Sequence, residues 1–174
     1  MDGDATILAI LGNTFALLNE IEMADLASRK ALAICGGSSW AWARSGLIQV
    51  CKGHTEAALE RLSIALSLAP NDPLRFNAFI GAGSAHFEAG NFSQAVKWFE
   101  RAVLEHPNSA WQHELLCPAY FYSGRKPEAH RSLAMLCDEY PDLTIERVVN
   151  GMSFFTQHFR DGIANALDAV GLRA

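Results

Sequence analysis

The feature that most constrains this chain is a pattern of residues that returns at nearly constant intervals. When the copies of the pattern are aligned, one position always holds a small residue: Gly12, Gly46, Gly83 and Cys117. The interval between the second and third of these residues is slightly longer than the other two intervals. An alanine follows each of these small residues at one fixed spacing: Ala24, Ala58, Ala95 and Ala129. A residue that commonly ends a helix follows at a second fixed spacing: Gly36, Pro70, Pro107 and Pro141. Columns that keep one register over four copies predict a stack of four similar units.

A period of about 34 residues predicts that each unit is a pair of antiparallel helices, the tetratricopeptide (TPR) repeat. Small side chains let such helices cross closely, and larger ones such as Phe79, Phe92 and Phe99 fill the remaining space. We therefore predict an all-α fold: a right-handed TPR superhelix of four helix-turn-helix repeats with two capping helices after them. The predicted array spans residues 1–143, with repeats at 5–38, 39–72, 76–109 and 110–143, and the predicted cap spans residues 144–174.

The two ends of the predicted array differ. After Pro141 the period stops, Thr144 can cap a short helix, and a set of apolar residues then shares one helix face: Phe159, Ile163, Ala166, Leu167 and Val170. We expect this pair to cover the last repeat. The first helix has no comparable cover, so it should expose an apolar face that contacts an upstream domain or a second copy of the chain: Ile7, Leu8, Leu11 and Phe15.

The longer second step comes from the segment NDPLRFN, residues 71–77. Asn71 or Asp72 can cap a helix, and Pro73 suits its first position. We predict that the first helix of repeat three begins near Pro73 and is about one turn longer than its counterparts.

The segment FIGAGSAHFEAG, residues 79–90, resembles a glycine-rich nucleotide-binding loop only superficially. That motif lies between a strand and a helix and has a third glycine where this chain has His86. We interpret Gly83 as a packing glycine inside a helix and expect Gly81 to face the concave groove.

Composition and motifs argue against several classes of function. The net charge of −5 gives no basic footprint for nucleic acid, and no apolar run approaches the roughly 20 residues of a membrane span. The acidic N-terminal residues do not resemble a signal peptide, so we expect a cytoplasmic protein without nucleic-acid or membrane partners. Four cysteines without a C-x-x-C pair fit reduced structural thiols: Cys35, Cys51, Cys117 and Cys137.

No catalytic or metal motif is complete. The segment HELLC resembles H-E-x-x-H, but Cys117 replaces the second histidine, and His113 and Cys117 fall at packing positions. We therefore predict no enzyme activity, no catalytic residues, no metal site and no cofactor.

The candidate binding site is the concave groove, which the first helix of each repeat should line. Counting along the repeats selects an aromatic and apolar set: Asn13, Trp40, Arg44, Leu47, Asn77, Gly81, Phe87, Trp111, Glu114, Phe121 and Tyr122. Tryptophan, tyrosine and arginine are common anchors of interfaces, and Arg44 can hold a carboxylate. Alternatively, Trp40 and Trp111 are partly buried between repeats or covered by the C-terminal segment.

TPR proteins that clamp chaperone C-terminal tails use basic residues in the first and third repeats. The corresponding positions here hold Ala9, Asn77 and Gly81, and only Asn13 matches the clamp. A clamp of that type is therefore not expected.

Most of residues 40–174, and most closely residues 71–174, resemble the C-terminal TPR region of bacterial multidomain regulators. The resemblance is carried by DPLRFNAFIGAGSAHFEAGNFSQAVKWFERAVLEHPN, YFYSGRKPEAHRSL, YPDLTIERV and ALDAVGL. In that group a TPR array follows an adenylate cyclase or a winged-helix transcriptional-activator domain. The resemblance implies a sensory or protein-binding module of a bacterial signalling regulator, whose partner can be an upstream domain of the same polypeptide. It implies no catalytic residue.

We accordingly expect a non-catalytic scaffold that binds a peptide, a helix or its own output domain in the concave groove. Two alternatives remain open. The chain forms a homodimer or larger oligomer through its first repeat, or it senses a small ligand, which a thermal-shift screen with nucleotides and metals would detect.

Overall fold

A computed structural model describes residues 2–173 of the chain and the side chains of residues 4–173. Within this range every regular element is a helix. The α-helices are α1 (Asp2–Leu17), α2 (Ile21–Ile34), α3 (Ser39–Cys51), α4 (Thr55–Leu68), α5 (Phe76–Glu88), α6 (Phe92–Glu105), α7 (His113–Tyr122), α8 (Lys126–Glu139), α9 (Ile145–Gly151) and α10 (Gln157–Val170). Short 3₁₀ helices at Pro73–Arg75 and Ala110–Gln112 precede α5 and α7. The all-α prediction is confirmed.

The helices pack in consecutive pairs. The largest contacts join α1 with α2, α3 with α4, α5 with α6, and α7 with α8. Each pair also packs on the next, because α2 contacts α3, α4 contacts α5, and α6 contacts α7. The odd-numbered helices α1, α3 and α5 are neighbours in turn, so they form the inner wall of a solenoid. We propose the repeat bounds given above as the units of this stack.

The turn inside each pair needs one residue with positive φ. Glycine supplies it in three pairs, at Gly53, Gly90 and Gly124, with φ between 73° and 80°. Asn19 supplies it in the first pair, with φ of 62°. Only glycine and, less readily, asparagine adopt this conformation without strain, so these residues fix the point at which the chain reverses.

Gly83 is a packing glycine, as predicted. A Cβ atom at this position would lie 2.4 Å from Cε1 of Phe99, so α5 and α6 approach too closely for any side chain. Gly46 plays the same part against Leu62, where a Cβ atom would lie 2.6 Å from Cγ. The alanines of the second column are fully buried in the same crossings: Ala24, Ala58, Ala95 and Ala129.

The insertion before the third pair is helical, as predicted. Oδ1 of Asp72 accepts a hydrogen bond from the Leu74 backbone N–H at 2.8 Å, and the 3₁₀ turn that begins at Pro73 continues into α5. The added turn lengthens this segment relative to α3, which has 13 residues. It does not make the segment longer than α1, which has 16 residues, so the predicted difference from all counterparts is wrong.

The C-terminal helices fold back on the array. The side chains of Thr144 and Thr156 accept capping hydrogen bonds from backbone N–H groups in the first turns of α9 and α10. The apolar face predicted for α10 is buried throughout: Phe159, Ile163, Ala166, Leu167 and Val170. Helix α10 packs on α7 and α8 and also reaches α5. We propose that it acts as more than an end cap, because α5 belongs to the inner wall.

The described helices include none that is both long and apolar enough to cross a membrane.

Candidate functional site: the concave face

The concave face has two unlike halves. In the C-terminal half of the array, α10 covers the C-terminal ends of α5 and α7. Phe87 is only 3% exposed and its ring lies 5.0 Å from that of Phe159. The Tyr122 hydroxyl donates a hydrogen bond to the Gly162 carbonyl at 3.1 Å. The expectation that Phe87 faces an open groove is therefore wrong, because the chain's own helix occupies that space.

The connection between α9 and α10, residues 152–156, extends this cover toward the first repeats. The hydroxyl of Thr156 donates to the carboxylate of Glu88 at 2.9 Å, which ties the connection to the end of α5. Phe155 stacks on Phe159 at 4.2 Å. Phe154 reaches further and forms one wall of a cavity beside α1 and α3. The connection thus marks a border on the concave face. On one side lies the covered half, where α10 packs on α5 and α7, and on the other lies the open half, formed by α1, α3 and the start of α5.

Arg44 lies at the centre of the open half. Its Nη1 donates to Oδ1 of Asn13 at 2.9 Å, and its Nη2 donates to Oδ1 of Asn77 at 2.9 Å. The guanidinium carbon lies 4.0 Å from the centroid of the Trp40 ring, a cation–π geometry. The structure therefore brings together four residues that the sequence predicted for the groove, one from α1, two from α3 and one from α5. Asn77 is itself oriented, because its Nδ2 donates to the Leu74 carbonyl at 3.0 Å.

Among the described residues, no opposite charge lies beside the Arg44 guanidinium. None of the ion pairs among residues 4–173 includes Arg44, and its Nε is buried without a hydrogen-bond partner in this part of the chain. Burial lowers the pKa of Arg44 from 12.5 to about 10, because the surrounding protein disfavours the charged form. Two neutral amides and an aromatic face hold a cation here without neutralising it.

A cavity of about 200 Å³ adjoins this guanidinium. Its walls are mostly apolar and come from α1, α3 and the α9–α10 connection: Asn13, Ala16, Leu17, Arg44, Leu47, Ile48 and Phe154. Leu47, another predicted groove residue, is half-buried here. The open half therefore combines one cation with one apolar cavity.

The remaining predicted residues do not join this cluster. Gly81 is buried, and a Cβ atom there would lie 2.8 Å from Cδ2 of Leu62, so it faces α4 and not the groove, which corrects the expectation. Phe121 is half-buried with its ring 5.2 Å from that of Tyr122. Trp111 is 40% exposed in the turn before α7. Glu114 is half-buried, and desolvation raises the pKa of its carboxyl group from 4.5 to about 7.

A buried charge cluster around Asp25 was not predicted. Asp25 is 7% exposed, and its carboxylate accepts hydrogen bonds from Nε2 of Gln49 at 3.0 Å and Nζ of Lys52 at 3.3 Å. Arg29 and Arg61 lie 3.6 and 3.9 Å from it. One signal was present in the sequence: Asp25 follows the alanine column, where the other repeats have Leu59, Val96 and His130.

The contacts of the HELLC segment, residues 113–117, are packing and hydrogen-bond contacts between helices. Cys117 is fully buried, and Nδ1 of His113 lies 2.7 Å from Oγ of Ser132 in a hydrogen bond between α7 and α8. The described side chains contain no group of three or more histidine, cysteine, aspartate or glutamate residues placed to hold a metal ion.

Comparison with known proteins places the fold. No family model matches the chain. The human Superkiller complex protein 3 is 28% identical over 123 residues, which are 71% of this chain but 8% of that protein. The crystal structure of the APC/C hetero-tetramer Cut9-Hcn1 matches with a TM-score of 0.75 at 16% identity, over 90% of this chain and 30% of that one. YrrB, a TPR protein whose structure is described as having an unusual peptide-binding site, matches with a TM-score of 0.62 at 19% identity, over 96% and 84% of the two chains.

These likenesses agree with the repeat columns and the helix pairs. The chain spans under a tenth of the length of the curated relatives that it matches. Its described helices follow the order and packing of TPR solenoids over nearly the whole chain. The chain has the fold of tetratricopeptide-repeat proteins.

Proposed function

We propose that this chain is a non-catalytic interaction module that binds a segment of a partner protein on the open half of its concave face. The observation that carries the proposal is the Arg44 guanidinium, which is half-buried with a buried Nε, oriented by Asn13 and Asn77, and unpaired with any described carboxylate. A partly desolvated cation without a counter-ion is electrostatically unfavourable, so its position on the concave face favours a role in recognition.

The proposed surface is preformed. Asn13, Trp40 and Asn77 hold Arg44 in one orientation before any partner arrives. A partner then loses less free energy to the ordering of side chains than it would at a flexible surface. Arginine and tryptophan at the centre of such a surface are the residue types that dominate measured interface energies.

The nature of the partner is inferred from weaker signals. The printed descriptions of YrrB and Cut9-Hcn1 name a peptide-binding site and a hetero-tetramer, and these are properties of those proteins. They support a protein or peptide as the class of ligand. The resemblance to bacterial signalling regulators adds the proposal that an output domain of the same polypeptide is one such partner.

Affinity capture with matched variants tests this function. The natural chain, Arg44→Glu and Arg131→Glu are used as baits, because Arg131 is exposed on α8, away from Arg44. We expect a protein that the natural chain and Arg131→Glu retain and Arg44→Glu loses. Trp111→Ala then asks whether the contact extends to the fourth pair. Equal retention by both charge variants would contradict the proposal.

Self-association is a second candidate, favoured by the first helix. Ile7 is 57% exposed and Leu11 is 42% exposed. The other two predicted residues, Leu8 and Phe15, are half-buried, because they pack against small buried clusters that include residues of α2 and α3. They therefore contribute less than predicted.

Light scattering across a range of concentrations tests self-association. We expect a mass above that of one chain, which falls in the double variant Ile7→Lys/Leu11→Lys but not in Leu104→Lys, since Leu104 is exposed on α6. A monomer at every concentration would exclude the second candidate.

A further inference from the structure

We infer that the segment bound on the open half is an extended peptide in which an acidic side chain lies two residues from a large apolar side chain. This inference rests on the proposed function and adds the chemistry of the partner. The acidic group pairs with Arg44, and the apolar group enters the cavity between Leu17, Leu47 and Phe154.

The acidic group follows from the hydrogen bonds that Arg44 leaves open. Each terminal nitrogen of a guanidinium carries two hydrogens, and Nη1 and Nη2 each use one on Asn13 and Asn77. One hydrogen on each terminal nitrogen is left for a partner, and the hydrogens of a guanidinium can pair with the two oxygens of a carboxylate. A bound carboxylate also supplies the negative charge that Arg44 lacks, in surroundings dry enough to lower its pKa to about 10.

The apolar group follows from the neighbouring cavity. Its volume of about 200 Å³ exceeds the roughly 150 Å³ of an apolar cavity that takes up benzene, so it can accept a leucine, methionine or phenylalanine side chain. Its lining from Ala16, Leu17, Ile48 and Phe154 offers such a side chain few polar contacts. Away from Asn13 and Arg44, a polar group in this cavity would lose water and meet mainly apolar side chains.

The spacing follows from the geometry of α3. Arg44 and Leu47 are three residues apart, which places their Cβ atoms roughly 5–6 Å from each other on one helix face. In an extended peptide, side chains two residues apart lie on the same face and are separated by about 7 Å. Because Arg44 and Leu47 both line the cavity, we place one residue between the acidic and the apolar residue of the peptide.

The structure favours an internal acidic side chain over an acidic residue at a free C-terminus. The terminal residue of an acidic tail presents two carboxylates, but Arg44 is the only cation in this cluster of described residues. Ala9 and Gly81 occupy positions that could have supplied more, and both are buried. One cation is matched by one carboxylate.

Selection from a peptide library tests the inference. Random short peptides are displayed on phage by their C-terminal ends, which removes the free carboxylate, and are selected on the full chain. We expect selected sequences to share an aspartate or glutamate two positions from a large apolar residue.

Synthetic peptides with acetylated and amidated ends then measure Kd by calorimetry. We expect Arg44→Gln to raise Kd by roughly ten- to a hundredfold, the range for a lost hydrogen bond to a charged group, and Arg131→Gln to leave it unchanged. Replacing the acidic residue of the peptide by its amide should weaken binding to the natural chain equally, and should have little further effect on Arg44→Gln.

The outcomes separate this inference from the proposed function. Selected peptides without an acidic residue, or binding that survives Arg44→Gln, would overturn the inference and leave a peptide-binding module. Affinity that requires a free C-terminal carboxylate would also overturn it. If no peptide is selected on the natural chain while its circular dichroism shows a folded helical protein, both the inference and the proposed peptide groove fail.

Discussion

Two charged residues in the first repeats, buried Asp25 and half-buried Arg44, have opposite surroundings. Asp25 lies on α2 among Gln49, Lys52 and Arg61, so its negative charge is met by hydrogen bonds and positive charge. Arg44 lies on α3, and its partners are two neutral amides and an aromatic ring. Hydrogen bonds fix the orientation of both side chains, but only Asp25 has groups of opposite charge beside it.

The difference indicates what each site does. A carboxylate surrounded by cations from several helices stabilises the junction of those helices, and its removal leaves several charges unpaired. A desolvated cation without an anion contributes little to stability and can contribute much to binding, because a partner supplies the missing charge. The comparison therefore assigns Asp25 to the architecture and Arg44 to recognition.

The largest expected effect is on the Asp25 side of the comparison. Asp25→Ala removes the carboxylate from a buried cluster and leaves Lys52 and Arg61 without it. We expect the free energy of unfolding to fall by about 3–5 kcal/mol, measured by denaturant titration with circular dichroism. Glu22→Ala, which removes an exposed partner of Lys52, is the control and should cost less than about 1 kcal/mol. If Asp25→Ala lost as little unfolding free energy as the control, the assignment of Asp25 to the architecture would be wrong.

A smaller effect is expected at the border of the open half. Phe154→Ala removes one wall of the cavity beside Arg44 and part of the cover over the inner wall. Because Phe154 is only half-buried, we expect a loss of about 1–2 kcal/mol, below the roughly 3–5 kcal/mol typical of a buried phenylalanine. Differential scanning calorimetry measures it, and Phe159→Ala, which truncates a fully buried ring, should cost more. The reverse order would show that α10 does not hold the covered half closed.

Glu114 gives a pH-dependent prediction. Its folded pKa of about 7 exceeds the unfolded value near 4.5, because burial disfavours the carboxylate. The folded state therefore binds more protons between these values. The contribution of this group to stability is complete below pH 4.5 and is lost as the pH rises toward 7. We expect Glu114→Gln to remove that part of the slope in a plot of unfolding free energy against pH; an unchanged slope would refute the burial of this carboxyl group.

The smallest expected effect on stability belongs to Arg44. Arg44→Met keeps much of the side-chain volume and removes an uncompensated charge, so we expect the unfolding free energy to stay within about 1 kcal/mol of the natural value. The same variant should bind selected peptides as poorly as Arg44→Gln. A loss as large as that expected for Asp25→Ala would mean that Arg44, like Asp25, is part of the architecture.

The repeat columns predicted the fold because they record close helix crossings. Gly83 could be assigned from its column alone, since it recurs where Gly46 does and both face a large side chain on the following helix. The same columns placed Asn13, Arg44 and Asn77 on one surface, where the structure joins them by hydrogen bonds. The repeat period therefore suffices to predict which residues lie on the inner wall in these cases.

The columns could not show contacts that cross the array. Phe87 was assigned to an open groove because its position in the repeat faces inward, yet α10 returns from the end of the chain to cover it. Gly81 failed for a related reason, since the branched side chain of Leu62 fills the space beside it. Asp25 was missed because its partners come from three helices and one turn, whose approach depends on how the repeats stack.

The most direct test of the account is the titration of Arg44 itself. The ¹³C resonance of its Cζ atom can be followed by NMR across the alkaline pH range in arginine-labelled protein and assigned by its absence in Arg44→Met. The account predicts a midpoint of about 10, below the ordinary value of 12.5, because desolvation disfavours the charged guanidinium. An Arg44 signal that does not titrate in this range would mean that the guanidinium is compensated or solvated, and the claim of a cation held ready for a partner's carboxylate would be wrong.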